Sequence, residues 1–579
     1  MGFLKLKMTA VYTLLIASSL LMNCRPFELM KAAGYEIGTI EVDLGSREIV
    51  MFESISITWE TDADIESVKI DLYRGDELVQ TLAEEESSGS FSGWTVPQTF
   101  ATAYDYRILI TSNDDPALVG ESDYFTICSY FVFGGNSQDG GYSADYHGAW
   151  VDETTGKILL TGATRSTNIG NTDDLGETDI LALRLNSDLT LDSSFSSSGL
   201  KRLGGTGKDY PRFIGQDSTG SIYISSTTNS DELDGQSAEQ DLMTIKMMNN
   251  GDLDSSFNDD GMHIFGGDGV IGNEYAAGGF IDAQDNWYIF GSLYREYLVN
   301  VPVADAFDKG DLNTGNGIIA KYTPSGELDT TFDANGVYLR IYGTSGLGNI
   351  VRDIHVESDG DILWCGILPG TNNDPVVGKL TAGGIVDAAF GTSGRTTFGG
   401  TGYDSFTSMD VDSSGNIYAA GITNSPTIAG ITTKGGYDIL VAKFLSNGSL
   451  DSSFGENGVL TIGGSGDDGY YSYCYTDLTV NKDDKIYIAS SSDSDDIPGT
   501  EPLGLQDCII IRLNTDGSFD SSFDDDGKMF LGGSNLDLAR SIIATENGKV
   551  YIAGTTASPD IPGITTYGYE DFFLAVFQE

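Results

Sequence analysis

Positive charge is scarce in this sequence: 31 Lys and Arg stand against 86 Asp and Glu, a formal net charge of −55. So acidic a surface repels phosphate backbones, which excludes nucleic acid as a partner. Histidine is scarcer still. His147, His263 and His355 are the whole complement, in three different parts of the chain, and none stands at a metal-binding spacing such as His-Glu-x-x-His. There is no Gly-x-Ser-x-Gly nucleophile elbow and no phosphate-cradling Gly-Lys-Ser/Thr loop, so no catalytic residue is assigned and the chain does not read as an enzyme. Five cysteines make neither a disulfide framework nor a zinc pattern. Of these, Cys128, Cys365, Cys474 and Cys508 are expected to be buried small residues, and Cys474 with Cys508 is the pair that shares one repeat. Only 13 prolines accompany 74 glycines, a balance that suits tight turns between short strands. Beyond Met22 no apolar run approaches the length needed to span a bilayer.

What is present begins with a targeting segment. Lys5 and Lys7 precede an apolar stretch from Met8 to Leu20, and Leu21-Met22-Asn23-Cys24 closes it. This layout resembles a bacterial lipoprotein signal with its lipobox. The resemblance implies that residues 1–23 are a lipoprotein signal peptide and that Cys24 is the lipidated first residue of the mature protein, anchored to the outer membrane or cell surface. Without the lipobox the same stretch reads as an uncleaved membrane anchor, and on either reading the body lies outside the cytoplasm.

The dominant feature is a recurring phrase. Leu191-Asp192-Ser193-Ser194-Phe195 returns at Leu253–Phe257, Leu328–Phe332 and Leu450–Phe454, and more loosely at Val386–Phe390 and Phe519–Phe523. Each copy is followed by a glycine (Gly199, Gly261, Gly336, Gly394, Gly458, Gly527) and then by an apolar run that usually ends in Gly-Gly. In the unit Arg395–Gly458 the pattern predicts four short strands: the apolar run to Gly399-Gly400, Phe406–Asp412, Asn416–Gly421 and Tyr437–Phe444. Strands like Ile417-Tyr418-Ala419 occur seven times, each after a turn such as Ser413-Ser414-Gly415. Four strands repeated seven times at roughly 60-residue intervals predict a β-propeller. These residues resemble the delta-60 and SBBP β-propeller repeats, a resemblance that speaks for fold and not for activity. The last run, Phe572–Phe577, lacks a following strand, and Phe131–Gly135 is expected to supply it and close the ring.

Before the repeats, Ile55, Ile57 and Trp59 alternate with polar residues, as do Val68, Ile70 and Leu72, and Tyr106, Ile108 and Ile110. With Trp94-Thr95-Val96-Pro97 and Ser122-Asp123-Tyr124-Phe125, this stretch resembles the Ig-like domain of the Ser-Thr-rich wall-protein family. The expected organisation is therefore all-β: signal peptide 1–23, Ig-like β-sandwich 24–128, and seven-bladed β-propeller 129–579.

Antiparallel blades put the tight turns and the Leu-Asp-Ser-Ser-Phe connections on one face and the variable connections on the other. In the phrase, the Phe is expected to plug neighbouring blades, the Asp and Ser to bond to nearby backbone, and the Gly to take a special backbone angle. Loops on a rigid scaffold carry binding, so the variable face is where a protein or glycan ligand is expected, although no residue there names one. Its largest insertion is Tyr294–Gly317. Acidic loops Asp173-Asp174, Asp467-Asp468 and Asp493-Ser494-Asp495-Asp496 read as solvated charge. Calcium is the secondary reading, since none matches the twelve-residue calcium loop, and no other cofactor or metal is called for. The whole is expected to be a monomeric, non-catalytic, lipid-anchored envelope binding protein. The alternatives are a polysaccharide-acting lyase or hydrolase, which would need carboxylates or a Tyr/Arg constellation at the channel mouth, and a structural assembly factor of the envelope.

Overall fold

A computed structural model describes most of the chain from Ile40 to Gln578. The longer segments outside the described residues are 1–39, 97–102, 141–146, 234–239, 266–273, 294–315, 341–349, 470–475 and 499–503. The signal segment, Cys24, Cys474 and nearly all of the Tyr294–Gly317 insertion therefore lie outside them. Among the described residues no helix is long and apolar enough to cross a membrane. The chain divides into two compact units, residues 1–100 with 105–126, and residues 101–104 with 127–579.

The smaller unit is a β-sandwich. One sheet joins Ile40–Asp43, Ser54–Thr61 and Ser90–Thr95; in the other, Val68–Arg74 lies between Glu77–Glu86 and Ala103–Ser112, which also pairs with Val119–Glu121. The alternation read from sequence holds. Ile57, Trp59, Val68, Ile70, Leu72, Tyr106, Ile108 and Ile110 are buried, while Ser56, Thr58 and Glu60 between them are exposed.

The larger unit is a closed seven-bladed propeller. Blade two shows the plan: an inner strand Asp209–Gln216, then Ile222–Thr228, Asp241–Met247 and an outer strand Met262–Phe265, all antiparallel neighbours. In blade five the inner strand runs Asp404–Val411, beginning at Asp404 and not Phe406, followed by Ile417–Thr423, Asp438–Phe444 and Val459–Ile462. A short hairpin, Thr427–Ile428 with Ile431–Thr432, decorates its variable connection. Inner strands touch in sequence around the ring, and that of blade seven, Asp537–Ala544, meets His147–Asp152 of blade one. Blade seven is completed by the strand Phe125–Phe133, whose Ser129–Phe133 pairs with Phe572–Val576 of Asp571–Gln578. Phe133 faces Phe572, and the Tyr130 and Phe573 rings lie 5.2 Å apart. This replaces an open sheet edge by a paired one.

The recurring phrase is an inter-blade fastener. Phe195, Phe257, Phe332, Phe390, Phe454 and Phe523 are buried. Phe454 packs into a cluster with Tyr418 of its own blade and Ile486, Ile511 and Leu513 of the next. A side chain at Gly517, in the equivalent turn of that next blade, would meet the Phe454 ring at 3.1 Å. The phrase also caps itself: the Phe454 amide donates to the Asp451 carbonyl (3.0 Å), and Ser453 Oγ donates to Asp451 Oδ1 (2.6 Å). Gly458, at φ +94°, takes the left-handed backbone angle that an L side chain rarely adopts. Behind the phrase a cation from the third strand pairs with its Asp, as Lys443 Nζ does with Asp451 (3.2 Å) while lying 5.2 Å from the centre of the Tyr418 ring. In blade six Arg512 does the same with Asp520 (3.0 Å). There burial opposes ionisation, yet bonds from Lys485 and Ser522 hold the Asp520 carboxyl down at about 2.

Cys128, Cys365 and Cys508 are fully buried, as small core residues should be.

Candidate functional site: the axial cavity and its buried carboxyls

Every inner strand starts on the variable face and runs toward the tight turns, and most carry a β-bulge a few residues in. The extra residue of the bulge is Arg212 in blade two, Ala277 in three, Arg352 in four, Thr407 in five and Arg540 in seven. A cavity of about 380 Å³, lined by residues of all seven inner strands and of one second strand, occupies the ring's axis. Arg212, Arg352 and Arg540 line it, so three of the chain's few cationic side chains converge on one cavity. Nε and Nη1 of Arg540 are buried and find no hydrogen-bond partner among the described residues.

One step further in are three carboxyls from consecutive blades. Asp353 Oδ2 accepts from the Met409 amide (2.9 Å), Asp410 Oδ2 from the Val480 amide (2.8 Å), and Asp477 Oδ2 from the Ile542 amide (2.8 Å). Each side chain thus ties its blade to the inner strand of the next. Burial raises all three carboxyls, and each feels the negative charge of a neighbouring one or the amides that oppose the shift. Asp353, whose partial exposure is to the cavity, is pushed up to about 8 by burial, against its two backbone amide bonds and with help from Asp477 and Asp410. His355 Nδ1 stands 3.6 Å from Asp410 Oδ1, and burial lowers the imidazole below its usual range despite that carboxyl. The cavity therefore presents guanidinium charge beside carboxyls biased toward their neutral form.

A second set of acids lies at the blade seams, and here the expectation of solvated acidic loops is corrected for Asp468, whereas Asp173, Asp174, Asp493, Asp495 and Asp496 are exposed as expected. Asp468 is buried, not solvated: Ser494 Oγ donates to its Oδ2 (2.8 Å), as does the Gly464 amide (2.7 Å), and Ser492 Oγ bonds to Oδ1. Asp139, Asp209, Asp404 and Asp537 repeat this at the entry to their inner strands, each accepting from the Ser of a following Thr-x-Ser. Across the seam sits a buried acid from the previous blade's third strand, such as Asp438. A Cβ at Gly463 would lie 2.0 Å from Asp438 Oδ1 and 2.7 Å from Asp468 Oδ2, so the two carboxyls face each other across that glycine. The Gly-Gly pairs are thus more than turn residues, since they make room for facing acids. Burial raises Asp139, Asp438, Asp468 and Asp537, and carries Asp179 to about 6. Asp493 and Asp496 cap the segment that enters their own blade, accepting from the amides of Asp467 (2.5 Å) and Ser465 (2.6 Å). Asp174 pairs with Arg202 (2.9 Å).

Among the described residues one group of acids has metal-ligand spacing, Glu357, Asp359 and Asp361. Lys379 Nζ already stands 2.6 Å from Glu357 and 3.2 Å from Asp361, so its ammonium fills the place a cation would take. Neither the arginine trio nor the facing acids was read from the sequence. The signal that could have found the second set was the fixed interval from Gly-Gly to Asp and on to Thr-x-Ser. Arg212 and Arg540 stand three residues after the Asp of that interval, a partial signal that Arg352 lacks.

These features define a chain that joins an Ig-like domain to a seven-bladed β-propeller. Residues 45–127 match the Kre9/KNH-like N-terminal Ig-like domain. Residues 154–195, 427–454 and 482–523 match the DUF5122 β-propeller, a domain of unknown function, and each matched stretch ends on a plugging Phe of the recurring phrase. No curated protein matches the sequence. Solved structures with a similar arrangement include a luciferin-regenerating enzyme (8% identity, 75% of this chain and 92% of that one, TM-score 0.27). An ulvan lyase bound to -[GlcA(1-4)Rha3S]- shares 10% identity over 58% of this chain and 75% of its own (TM-score 0.30), and Drosophila Semaphorin 2a 9% over 73% and 75% (TM-score 0.26). At these values none bears on the chemistry of the site.

Proposed function

We propose that the protein is a lipid-anchored binding protein of the cell envelope, tethered through Cys24, whose propeller engages a protein or glycan ligand on its variable face without turning it over. The observation that carries the reading is the axial cavity: a chain of net charge −55 gathers Arg212, Arg352 and Arg540 on the propeller axis. The fasteners between blades and the paired ring closure keep such a cavity rigid, and preorganised polar groups bind more tightly because little ordering remains to be done.

Lipid labelling of wild type and Cys24→Ala, followed by protease treatment of intact cells, tests the anchoring. Wild type should be labelled and the variant unlabelled; label on the variant refutes a lipid at Cys24. Propeller fragments released by protease favour an outward-facing binding role, and protection favours a periplasmic one. A panel of acidic and neutral glycans tests the binding. Saturable binding without shortening of the glycan supports the reading. Shortening of an acidic glycan would replace it by the lyase or hydrolase reading, which the His355–Asp410 pair beside the arginines makes the specific alternative.

A further inference from the structure

We propose that the axial cavity is a binding site for a carboxylate-bearing small anion, held by Arg212, Arg352 and Arg540. The inference deepens the binding reading above by naming the chemistry the site selects.

Three observations converge on it. The arginines occupy the extra residue of three inner-strand bulges, and a bulge re-aims a side chain that a regular strand would send elsewhere. The blades therefore share one structural device, while the residue placed on it varies between arginine, alanine and threonine. A scaffold role would be met by any of these. Next, Nε and Nη1 of Arg540 are buried without a hydrogen-bond partner among the described residues, and a guanidinium edge out of water costs free energy unless an acceptor meets it. The carboxyl that responds to Arg540 is Glu570, itself raised by burial. Lastly, the acids that line the cavity are engaged elsewhere: Asp353, Asp410 and Asp477 give one oxygen to the amides of Met409, Val480 and Ile542 and the other to the amides of Ile354, Val411 and Leu478.

The cavity suits a carboxylate on a compact carbon skeleton. A planar guanidinium fork matches a planar carboxylate in two parallel hydrogen bonds. The volume of about 380 Å³ falls within the range of small-ligand sites, and Phe213, Phe280 and Met409 add apolar wall to the polar groups. Such an anion could arrive free, as a small organic acid, or as a uronic acid residue of an acidic glycan. The recognition chemistry is the same in both cases.

The test is calorimetric titration of the chain lacking residues 1–23 with glucuronate, with a galacturonate oligomer, and with glucose as the neutral control. Saturable binding of at least one carboxylate, none of glucose, and an affinity about 10- to 100-fold lower in Arg540→Gln are expected, the loss of a charge-assisted pair. Arg540→Lys should keep part of the affinity. Binding of glucuronate points to a free acid, and binding of the oligomer alone to a glycan. Should Arg540→Gln not fold, Arg352→Gln gives the same readout. Absence of carboxylate binding, equal binding by glucose, or unchanged affinity in a folded arginine variant overturns the proposal. Glycan binding that survives Arg540→Gln would overturn the axial site and remove its support for the binding reading, leaving the ligand to the loops of the variable face.

Discussion

Deleting Tyr130–Gly135 should open the propeller at its one non-consecutive seam. Four of the five register pairs joining Ser129–Phe133 to Phe572–Val576 are lost with it. At about 1 kcal/mol net per hydrogen bond, the ladder contributes roughly 2–4 kcal/mol. Phe131 and Phe133, packed half-buried on the cluster that holds Phe572, Leu574 and Val576, add about 1–1.5 kcal/mol each. The sum, about 4–7 kcal/mol, is of the order of the whole stability of a folded domain. Spread over a ring larger than the domains for which 1 kcal/mol moves Tm by about 2–4 °C, it should still lower the melting temperature by roughly 10 °C. It should also expose a strand edge ready to pair with other chains. Far-UV circular dichroism on heating reads the first effect and light scattering the second. A synthetic peptide spanning residues 127–137 should restore part of the loss by adding back the strand. An unchanged melting curve with no scattering would refute the closure argument.

Other expectations follow from the same contacts. Phe454→Ala removes a fully buried ring from the seam between blades five and six and should cost about 3–5 kcal/mol in urea unfolding, whereas a cost below about 1 kcal/mol would show that the phrase does not fasten blades. Gly463→Ala should destabilise by more than about 2 kcal/mol, because its Cβ would collide with Asp438 and Asp468, while Gly383→Ala, with its nearest neighbour at 3.9 Å, should change stability little; equal melting temperatures would dismiss the facing acids. Asp353 is held at about 8 when folded and near 4 when unfolded, so the folded chain binds the extra proton: its stabilising contribution is complete below about pH 4 and is lost as pH rises to 8. Melting temperature should accordingly fall between pH 5 and pH 8, and Asp353→Asn should flatten that fall; an identical pH profile in the variant would reject the shifted carboxyl.

How much was legible beforehand depends on whether a residue's role is written in its own neighbourhood. The alternation around Ile57 and Ile70, the seven copies of the second strand, the plugging Phe, and the glycine at φ +94° are local and periodic, and each could be read directly. The pairing of Phe131 with Leu574 spans most of the chain, yet it was legible because the last blade lacked a strand and one unassigned apolar run remained. Asp468 was misread because a buried acid and a solvated one look alike until their partners, Ser492 and Ser494, are known to fold back over it.

Composition and periodicity by themselves determined the all-β class, the blade count and the order of a small strand-rich domain followed by a ring, because strand pattern and turn chemistry are properties of short stretches of chain. Only the tertiary structure decided what the ring encloses. Arg212, Arg352 and Arg540 come from blades two, four and seven, and closure of the ring brings them to one cavity. Asp353, Asp410 and Asp477 likewise become a linked set because each inner strand lies beside the next around the axis.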